Sequence, residues 1–261
     1  MNRILLAGVG LAILSVSAHA ADLANRRSQP LAPIAVAPAF TWTGIYAGVN
    51  AGYGWSGSDR SNFSGNPAAL AFVNAGTLPL GYSSKKSGFV GGGQLGYNYQ
   101  VGQFVMGVET DIQYIGAKKT ATFVLPNGTN GSFKQDSSYL GTLRGRLGFT
   151  PVDRLLVYGT AGLAYGNTGV SGGLTAPSLA GAPQWYGTKS ETKVGWTAGA
   201  GIEYALTNNI TTKLEYLYYD LGKSDTALGA VNAAAIASGA VPGIRSENKG
   251  QLVRAGLNYK F

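Results

Sequence analysis

The stretch Ile45-Tyr46-Ala47-Gly48-Val49-Asn50-Ala51-Gly52-Tyr53-Gly54-Trp55 alternates without a break. Ile45, Ala47, Val49, Ala51, Tyr53 and Trp55 fall on one side of an extended chain, and Tyr46, Gly48, Asn50, Gly52 and Gly54 on the other. Successive side chains of a strand point to opposite faces, so this period of two predicts a strand that is apolar on one face and small or polar on the other. Seven further segments repeat the pattern. In 87–101, Phe89, Leu95, Tyr97, Tyr99 and Val101 oppose Gly92, Gln94, Gly96, Asn98 and Gln100. In 104–116, Phe104, Met106, Val108, Ile112 and Tyr114 oppose Glu109, Asp111 and Gln113. Segments 138–149, 155–166 and 192–206 set Tyr139, Leu143, Leu147, Phe149, Val157, Leu163, Trp196, Ile202 and Tyr204 against Arg144, Arg146, Thr160, Lys193 and Glu203. In 210–221 and 249–261, Thr212, Leu214, Tyr216, Tyr218, Val253, Leu257, Tyr259 and Phe261 oppose Lys213, Glu215, Arg254, Asn258 and Lys260.

The connections alternate between short (near Gly102, Pro151 to Asp153, and Asn208) and long (56–86, 117–137, 167–191 and 222–248). This predicts an all-β fold, an eight-stranded up-and-down antiparallel barrel with Gly/Ser/Asn-rich loops at one rim. An even strand number, tight periplasmic turns and long outer loops are the pattern of a transmembrane barrel, with both chain ends on the periplasmic side. A soluble lipocalin-like barrel would alternate equally well with its apolar face inward. Two features favour the membrane. Aromatics cluster at strand ends of the apolar face, Tyr99, Phe104, Phe149, Tyr204 and Phe261 near one rim and Trp55, Phe89, Tyr114, Tyr139 and Trp196 near the other, as interfacial girdles require. The charged face is dense in glycine (Gly48, Gly52, Gly92, Gly96, Gly199, Gly201), which suits a crowded lumen of about eight strands.

The chain opens with Arg3, an apolar run of 13 residues from Ile4 to Val16, and Ala18-His19-Ala20, the three regions of a secretory signal. The run is shorter than the roughly 20 residues of a membrane-spanning helix, which makes a retained anchor the weaker alternative. The expected organisation is a removed signal peptide at 1–20, a Pro/Ala-rich periplasmic leader at 21–40 carrying Pro30, Pro33 and Pro38, and an outer-membrane barrel at 41–261. Cleavage removes Arg3 and lowers the formal net charge from +8 to +7; it also removes His19, the sole histidine, from a chain without cysteine. The expected mature chain therefore lacks the commonest metal ligands, Ser-His and Cys-His nucleophile pairs and disulfides. No catalytic, cofactor or metal site is expected, and no nucleic-acid partner.

Ala20-Ala21-Asp22-Leu23, Phe40-Thr-Trp-Thr-Gly-Ile-Tyr-Ala-Gly-Val-Asn50, Gly141-Thr-Leu-Arg-Gly-Arg-Leu-Gly-Phe149, Leu214-Glu-Tyr-Leu-Tyr-Tyr-Asp220 and the terminal Tyr259-Lys-Phe261 carry a further signal. With these motifs the sequence resembles the small alphaproteobacterial outer-membrane barrels, the surface-antigen and haemin-binding proteins of Brucella, Bartonella and rhizobia, with their OmpA-like barrel domain. The resemblance implies a Gram-negative cell-envelope location in the outer membrane, export through the Sec signal, and a terminal strand with Leu257, Tyr259 and Phe261 that presents an assembly signal to the barrel-assembly machinery. The loops share no such motifs, so ligand preferences do not carry over.

Four candidate features remain. Gly91, Gly93 and Gly96 satisfy a GxGxxG pattern but lie inside a predicted strand, where they cannot open a phosphate-binding helix. Glu109 and Asp111 share a face and mimic a catalytic carboxylate pair. The expected neighbours Arg144 and Arg146, and Glu203 placed opposite Lys213, instead predict an ionic lumen network of Glu109, Asp111, Arg144, Arg146, Lys193, Glu203, Lys213, Glu215 and Arg254, because charges screened from water must be paired. At the outer rim, counting up from Val101 and Phe104 sets Lys86 opposite Lys119 with Lys85 and Lys118 beside them. Like charges so placed favour an anion, and lipopolysaccharide phosphate is the expected contact, against a bland solvated rim. Asn127-Gly128 and Asn130-Gly131 mark turns in the second long loop.

The leading expectation is a structural surface protein with a plugged lumen, its partners being outer-membrane lipid, lipopolysaccharide and the assembly machinery. A narrow porin-like channel is one alternative. Haemin or host-molecule capture by the loops is another, in which tyrosine would have to supply axial ligation.

Overall fold

The computed structural model describes residues 40–56, 59–84, 87–116, 118–136 and 138–261. The expected signal peptide, and the expected leader up to residue 39, lie outside the described residues. In chain order the elements are β1 (Gly44–Trp55), β2 (Asp59–Gly65), α1 (Pro67–Asn74), β3 (Gly81–Ser84), β4 (Ser87–Val101), β5 (Phe104–Ile115), β6 (Lys118–Val124) and β7 (Asn130–Asp136). They continue with β8 (Tyr139–Val152), β9 (Leu155–Thr175), β10 (Gln184–Ala205), β11 (Ile210–Ala227), β12 (Gly229–Ala230), α2 (Ala233–Ala237) and β13 (Pro242–Lys260).

Eight of these strands close an antiparallel ring: β1 pairs with β4, β4 with β5, β5 with β8, β8 with β9, β9 with β10, β10 with β11, β11 with β13, and β13 with β1. Closure leaves the wall no free edge within the belt, which is what a strand structure needs in lipid. The short connections are tight. Val101 pairs with Phe104 across Gly102 and Gln103, and Gly102 takes φ +60, the left-handed conformation that a two-residue hairpin demands. Thr207 braces a second turn, its Oγ1 accepting from the amides of Asn209 and Ile210.

The wall is apolar outside. Ile45, Val49, Phe89, Leu95, Val108, Ile112, Leu143, Leu147, Leu163, Leu214 and Leu257 are exposed, while Asn50, Gln94, Glu109, Asp111, Arg144 and Arg254 on the opposite parity are buried. Such a surface is stable only against hydrocarbon. At the long-connection end the outer face changes chemistry. Above Tyr165, Trp196 and Tyr218 it presents Asn167 and Ser171 on β9, Thr192, Ser190 and Thr188 on β10, Lys223 and Asp225 on β11, and Lys249, Glu247 and Arg245 on β13. The continuous apolar belt gives way to polar side chains there, above Val194 on β10.

Beyond it the long connections are not loops. The wall continues, β9 with β10 up to Thr175 and Gln184, and β11 with β13 up to Ala227 and Gly243. β7 adds to β9, β6 to β7, β2 to β13 and β3 to β2, which builds a second storey. Asn130-Gly131 accordingly belongs to β7, and the turn is made by Leu125 to Thr129, with Gly128 at φ +81. The sequence pattern is too thin to announce these strands, since they are short and their outward residues, such as Asn62, Thr120, Thr122, Ser132 and Lys134, are mostly small or polar. Their inward residues build a second core: Phe63, Leu78, Phe133, Leu174, Trp185, Leu228 and Ile244 are buried together with Ala69 of α1 and Ala235 of α2. Asn66 and Asn232 cap the two helices by accepting from Ala69 N and Ala235 N.

Trp185 anchors this core, 1% exposed and donating from Nε1 to the Ala240 carbonyl at 3.0 Å. Trp185→Ala should destabilise the cap locally by about 3–5 kcal/mol. Limited proteolysis should then cut between residues 60 and 84 or 226 and 244 at least tenfold faster, while heat-modifiable migration of the belt persists.

Candidate functional site: the filled lumen

The inward parity of each wall strand delivers its polar residues to one axis. Glu109 and Asp111 come from β5, Arg144 and Arg146 from β8, Glu203 from β10, Lys213 and Glu215 from β11, and Arg254 from β13. All eight are at most 3% exposed. Glu109 takes Arg144 Nη2 at 2.5 Å and Lys213 Nζ at 2.7 Å. Asp111 Oδ2 takes Arg144 Nη2 at 2.8 Å and Arg254 Nη2 at 3.0 Å. Glu215 takes Arg144 Nη1 at 3.0 Å and Arg254 Nη2 at 2.6 Å, and Glu203 takes Arg146 Nη2 at 2.6 Å. Four cations thus meet four carboxylates, so the cluster carries no net charge. Each guanidinium reaches two or more acceptors, which offsets the several kcal/mol that burial of each ion costs.

Neutral groups complete the lattice. Tyr46 donates to Glu109 Oε2 at 2.7 Å and accepts from Arg146 Nη1 at 2.6 Å. Tyr158 donates to Glu215 at 3.1 Å, and its ring lies 3.9 Å from the Arg146 guanidinium carbon. Thr142 and Thr211 donate to Asp111 and Glu203. An amide chain runs Asn50 to Gln94 to Asn258 to Glu203, with links of 2.6, 2.6 and 2.8 Å. The aromatic members need room from the facing strands. A Cβ at Gly96 would overlap the Tyr46 hydroxyl, and one at Gly201 would lie 2.6 Å from that of Tyr158.

Apolar layers close both ends of the lattice. Towards the short turns, Trp42, Val105, Leu156, Tyr158 and Ala205 form a floor. Trp42 is fixed there by its Nε1 donating to the Asp153 carbonyl at 3.1 Å and its amide donating to Gln100 Oε1 at 2.8 Å. Phe40 packs edge-on against Trp42 under Lys260 and Arg154. Towards the long connections, Val90, Ile115, Leu140, Ala164, Leu217, Leu221 and Leu252 form a second layer. Above it a polar bridge, Glu191 to Ser224 to Asn248 to Gln135, spans the lumen beneath the cap core.

Two sequence expectations require correction. Lys193 points inward but stands above the cluster and pairs with Glu191 at 3.1 Å, because β10 carries it past the apolar layer. Burial pushes the Glu191 carboxyl up, but hydrogen bonds from Lys193, Ser224 and Lys189 outweigh it and hold the group below its ordinary value. Lys119 lies opposite Gln135 of β7 and Lys118 opposite Asp136, not beside β4, because the β4–β5 ladder ends at Val90 and Ile115 and the chain then turns into its own hairpin. Lys85 and Lys86 lie outside the described residues. Lys213 faces Glu203 in register as expected, yet its ammonium goes to Glu109. Tyr46, Tyr158, Gln94 and Asn258 were not singled out as lattice members; inward parity was the signal available for all four. Gly91, Gly93 and Gly96 sit within β4, and Leu257, Tyr259 and Phe261 face outward at the end of the chain.

A closed eight-stranded ring with a lipid-compatible exterior and a polar, neutralised interior defines a transmembrane barrel of a bacterial outer membrane. The profile of the outer membrane protein beta-barrel domain matches residues 9–261, and the chain belongs to that family. It is 39% identical over 264 residues to the 31 kDa outer-membrane immunogenic protein of Brucella melitensis, covering all of both chains. It is 34% identical over 193 residues to a 22 kDa outer membrane protein of Rhizobium leguminosarum bv. viciae, covering 73% of this chain and 69% of that one. The crystal structure of OprG from Pseudomonas aeruginosa aligns with 84% of this chain and 96% of its own, at 15% identity and a TM-score of 0.49.

Arg254 bridges Asp111 and Glu215 at full burial, so Arg254→Ala should cost about 3–5 kcal/mol by leaving both carboxylates to share Arg144 in a lattice with one uncompensated negative charge. Denaturant unfolding in detergent micelles, followed by tryptophan fluorescence, measures it. Adding Glu215→Gln should recover part of that loss, and strict additivity of the two substitutions would contradict the coupling.

Proposed function

We propose that this outer-membrane barrel is a structural surface protein of the cell envelope that does not conduct. The observation that carries the reading is the unbroken filling of the lumen: an apolar floor at Trp42, a charge-neutral ionic lattice, a second apolar layer at Leu140 and Leu252, and the cap core at Trp185. An ion crossing it would have to break paired charges and then shed its water in hydrocarbon twice. Planar bilayers containing the purified protein should show no reproducible current steps. Ohmic steps of constant size would overturn the reading in favour of a narrow porin.

An enzymatic role finds no support in the lattice. Glu109 and Asp111 are each held by two or more cations and lie under apolar layers, out of reach of a substrate. In this reading Leu257, Tyr259 and Phe261 engage the assembly machinery, and Lys85, Lys86, Lys118 and Lys119 contact lipopolysaccharide phosphate. Replacing all four lysines by Gln should weaken lipopolysaccharide binding several-fold in a co-migration assay; unchanged binding would leave them as a solvated rim.

A further inference from the structure

The lipid-facing wall is unevenly covered. Cross-strand register lays its outward side chains in rows, and two adjacent rows dip in the middle. One runs Met106, Leu147, Gly159, Ala200, Tyr216, and the next Val108, Gly145, Ala161, Ala198, Tyr218. Five neighbouring positions on β8, β9 and β10 thus carry no more than a methyl group. The row above them is Leu143, Leu163 and Trp196, and the row below is Phe149, Val157 and Ile202, all large and exposed. The small residues therefore floor a single basin with a raised margin.

The basin belongs to a groove of about 780 Å³ that begins at Tyr97 and Tyr99 on β4 and passes Met106, Val108 and Leu147 to reach Gly145 and Gly159. That volume falls in the roughly 300–1,000 Å³ range of small-molecule sites. Packing does not demand its glycines. A Cβ added at Gly145 or Gly159 would meet nothing nearer than a carbonyl oxygen at 3.9 Å, and neither residue has a positive φ. Lumen glycines differ, since Gly96 and Gly201 make way for the Tyr46 and Tyr158 rings. Glycine inside a strand weakens it and often marks a close approach of something else. Two outward glycines that neither the backbone nor the wall requires leave room for an occupant on the lipid side.

We infer that this groove is a binding site for one acyl chain of a phospholipid from the leaflet on the short-turn side. Its surroundings select that occupant. The groove opens within the apolar belt, where hydrocarbon is the solvent, and an unfilled hollow forfeits the dispersion contacts of its lining. Its length suits a chain. Tyr99, Met106, Leu147, Gly159 and Ala200 stand in one row, so four strand intervals of about 4.8 Å make a trough of roughly 19 Å. One leaflet contributes about half of the roughly 30 Å hydrocarbon core, so a chain lying obliquely fills the trough. Its entrance suits the ester end of the lipid: Tyr99 belongs to the girdle at the short-turn rim, Tyr97 is the next outward residue on β4, and both are exposed. A second copy fits poorly. Two barrels in one membrane pair about an axis along the membrane normal, which sets the same patch on both sides and would face hollow against hollow across a void. A flexible chain conforms to the basin without one.

The test places the protein in phosphatidylethanolamine vesicles doped with the same lipid carrying a diazirine in mid-chain, and irradiation marks the residues that the chain touches. Peptides covering 97–108 and 143–163 should carry at least fivefold more label than those covering 45–55 and 251–261 on the opposite wall. Gly159→Leu fills the groove at a position where an added Cβ is clear of the wall, and should bring that ratio close to one. Gly145→Leu on the neighbouring strand should do the same and guards against misfolding of the first variant, with heat-modifiable migration as the fold control. Even labelling around the wild-type wall, or an unchanged ratio in both folded variants, overturns the proposal. The chain has no cysteine, so efficient disulfide pairing of a Gly159→Cys variant under copper-phenanthroline would also overturn it, by making a second copy the occupant. Conductance is a separate measurement, so failure here is distinguishable from failure of the sealed-barrel reading.

Discussion

The constraint on which the rest depends is that charge enclosed by the barrel must be neutralised within it. An eight-stranded ring has an interior just wide enough for side chains. Water there is too scarce to solvate an ion, so four cations and four carboxylates share one lattice and no member is dispensable without stranding another. The lattice draws on five of the eight wall strands, and Tyr46 and Tyr158 bring in two more. It therefore ties together strands that the hydrogen-bond ladder joins only to their neighbours.

The same economy explains the layers above and below. An ionic lattice open to solvent would leak and soften, whereas apolar floors keep water out and keep the ion pairs strong. Trp42 closes one end just before the wall begins, using the indole for packing and its N–H to donate to the Asp153 carbonyl. At the other end the wall continues past the membrane and closes around Trp185 and Phe133. Connections of this length rarely stay structureless beside a rigid wall, because the wall offers strand edges on which they can pair.

Function follows from the way chemistry is partitioned by height. The outer face is hydrocarbon-compatible around Trp196, ionic around Lys223 and Glu247, and charge-free at α1 and α2. One wall thereby presents lipid, a polar interface and the exterior with different surfaces, while the interior stays closed throughout. On the proposed reading, a filled cylinder that displays a cap is suited to surface contact and envelope integrity rather than to passage.

The chain by itself determined the belt. Strict alternation from Ile45 to Trp55 and in seven later segments fixes which side chains face lipid, because a strand has only two faces and one of them must be apolar. It also determined most of the ionic membership, since Glu109, Asp111, Arg144 and Arg254 share the inward parity. Tertiary structure alone decided who pairs with whom. Lys213 faces Glu203 in register but reaches Glu109 across the lumen, a choice set by the curvature of the closed ring rather than by neighbourhood on the sheet. It also decided the cap. β2 and β7 are held by non-local pairing to β13 and β9, β3 and β6 add to them, and a few aromatic anchors close the cap; pairing of this kind leaves no apolar alternation in short, mostly polar stretches.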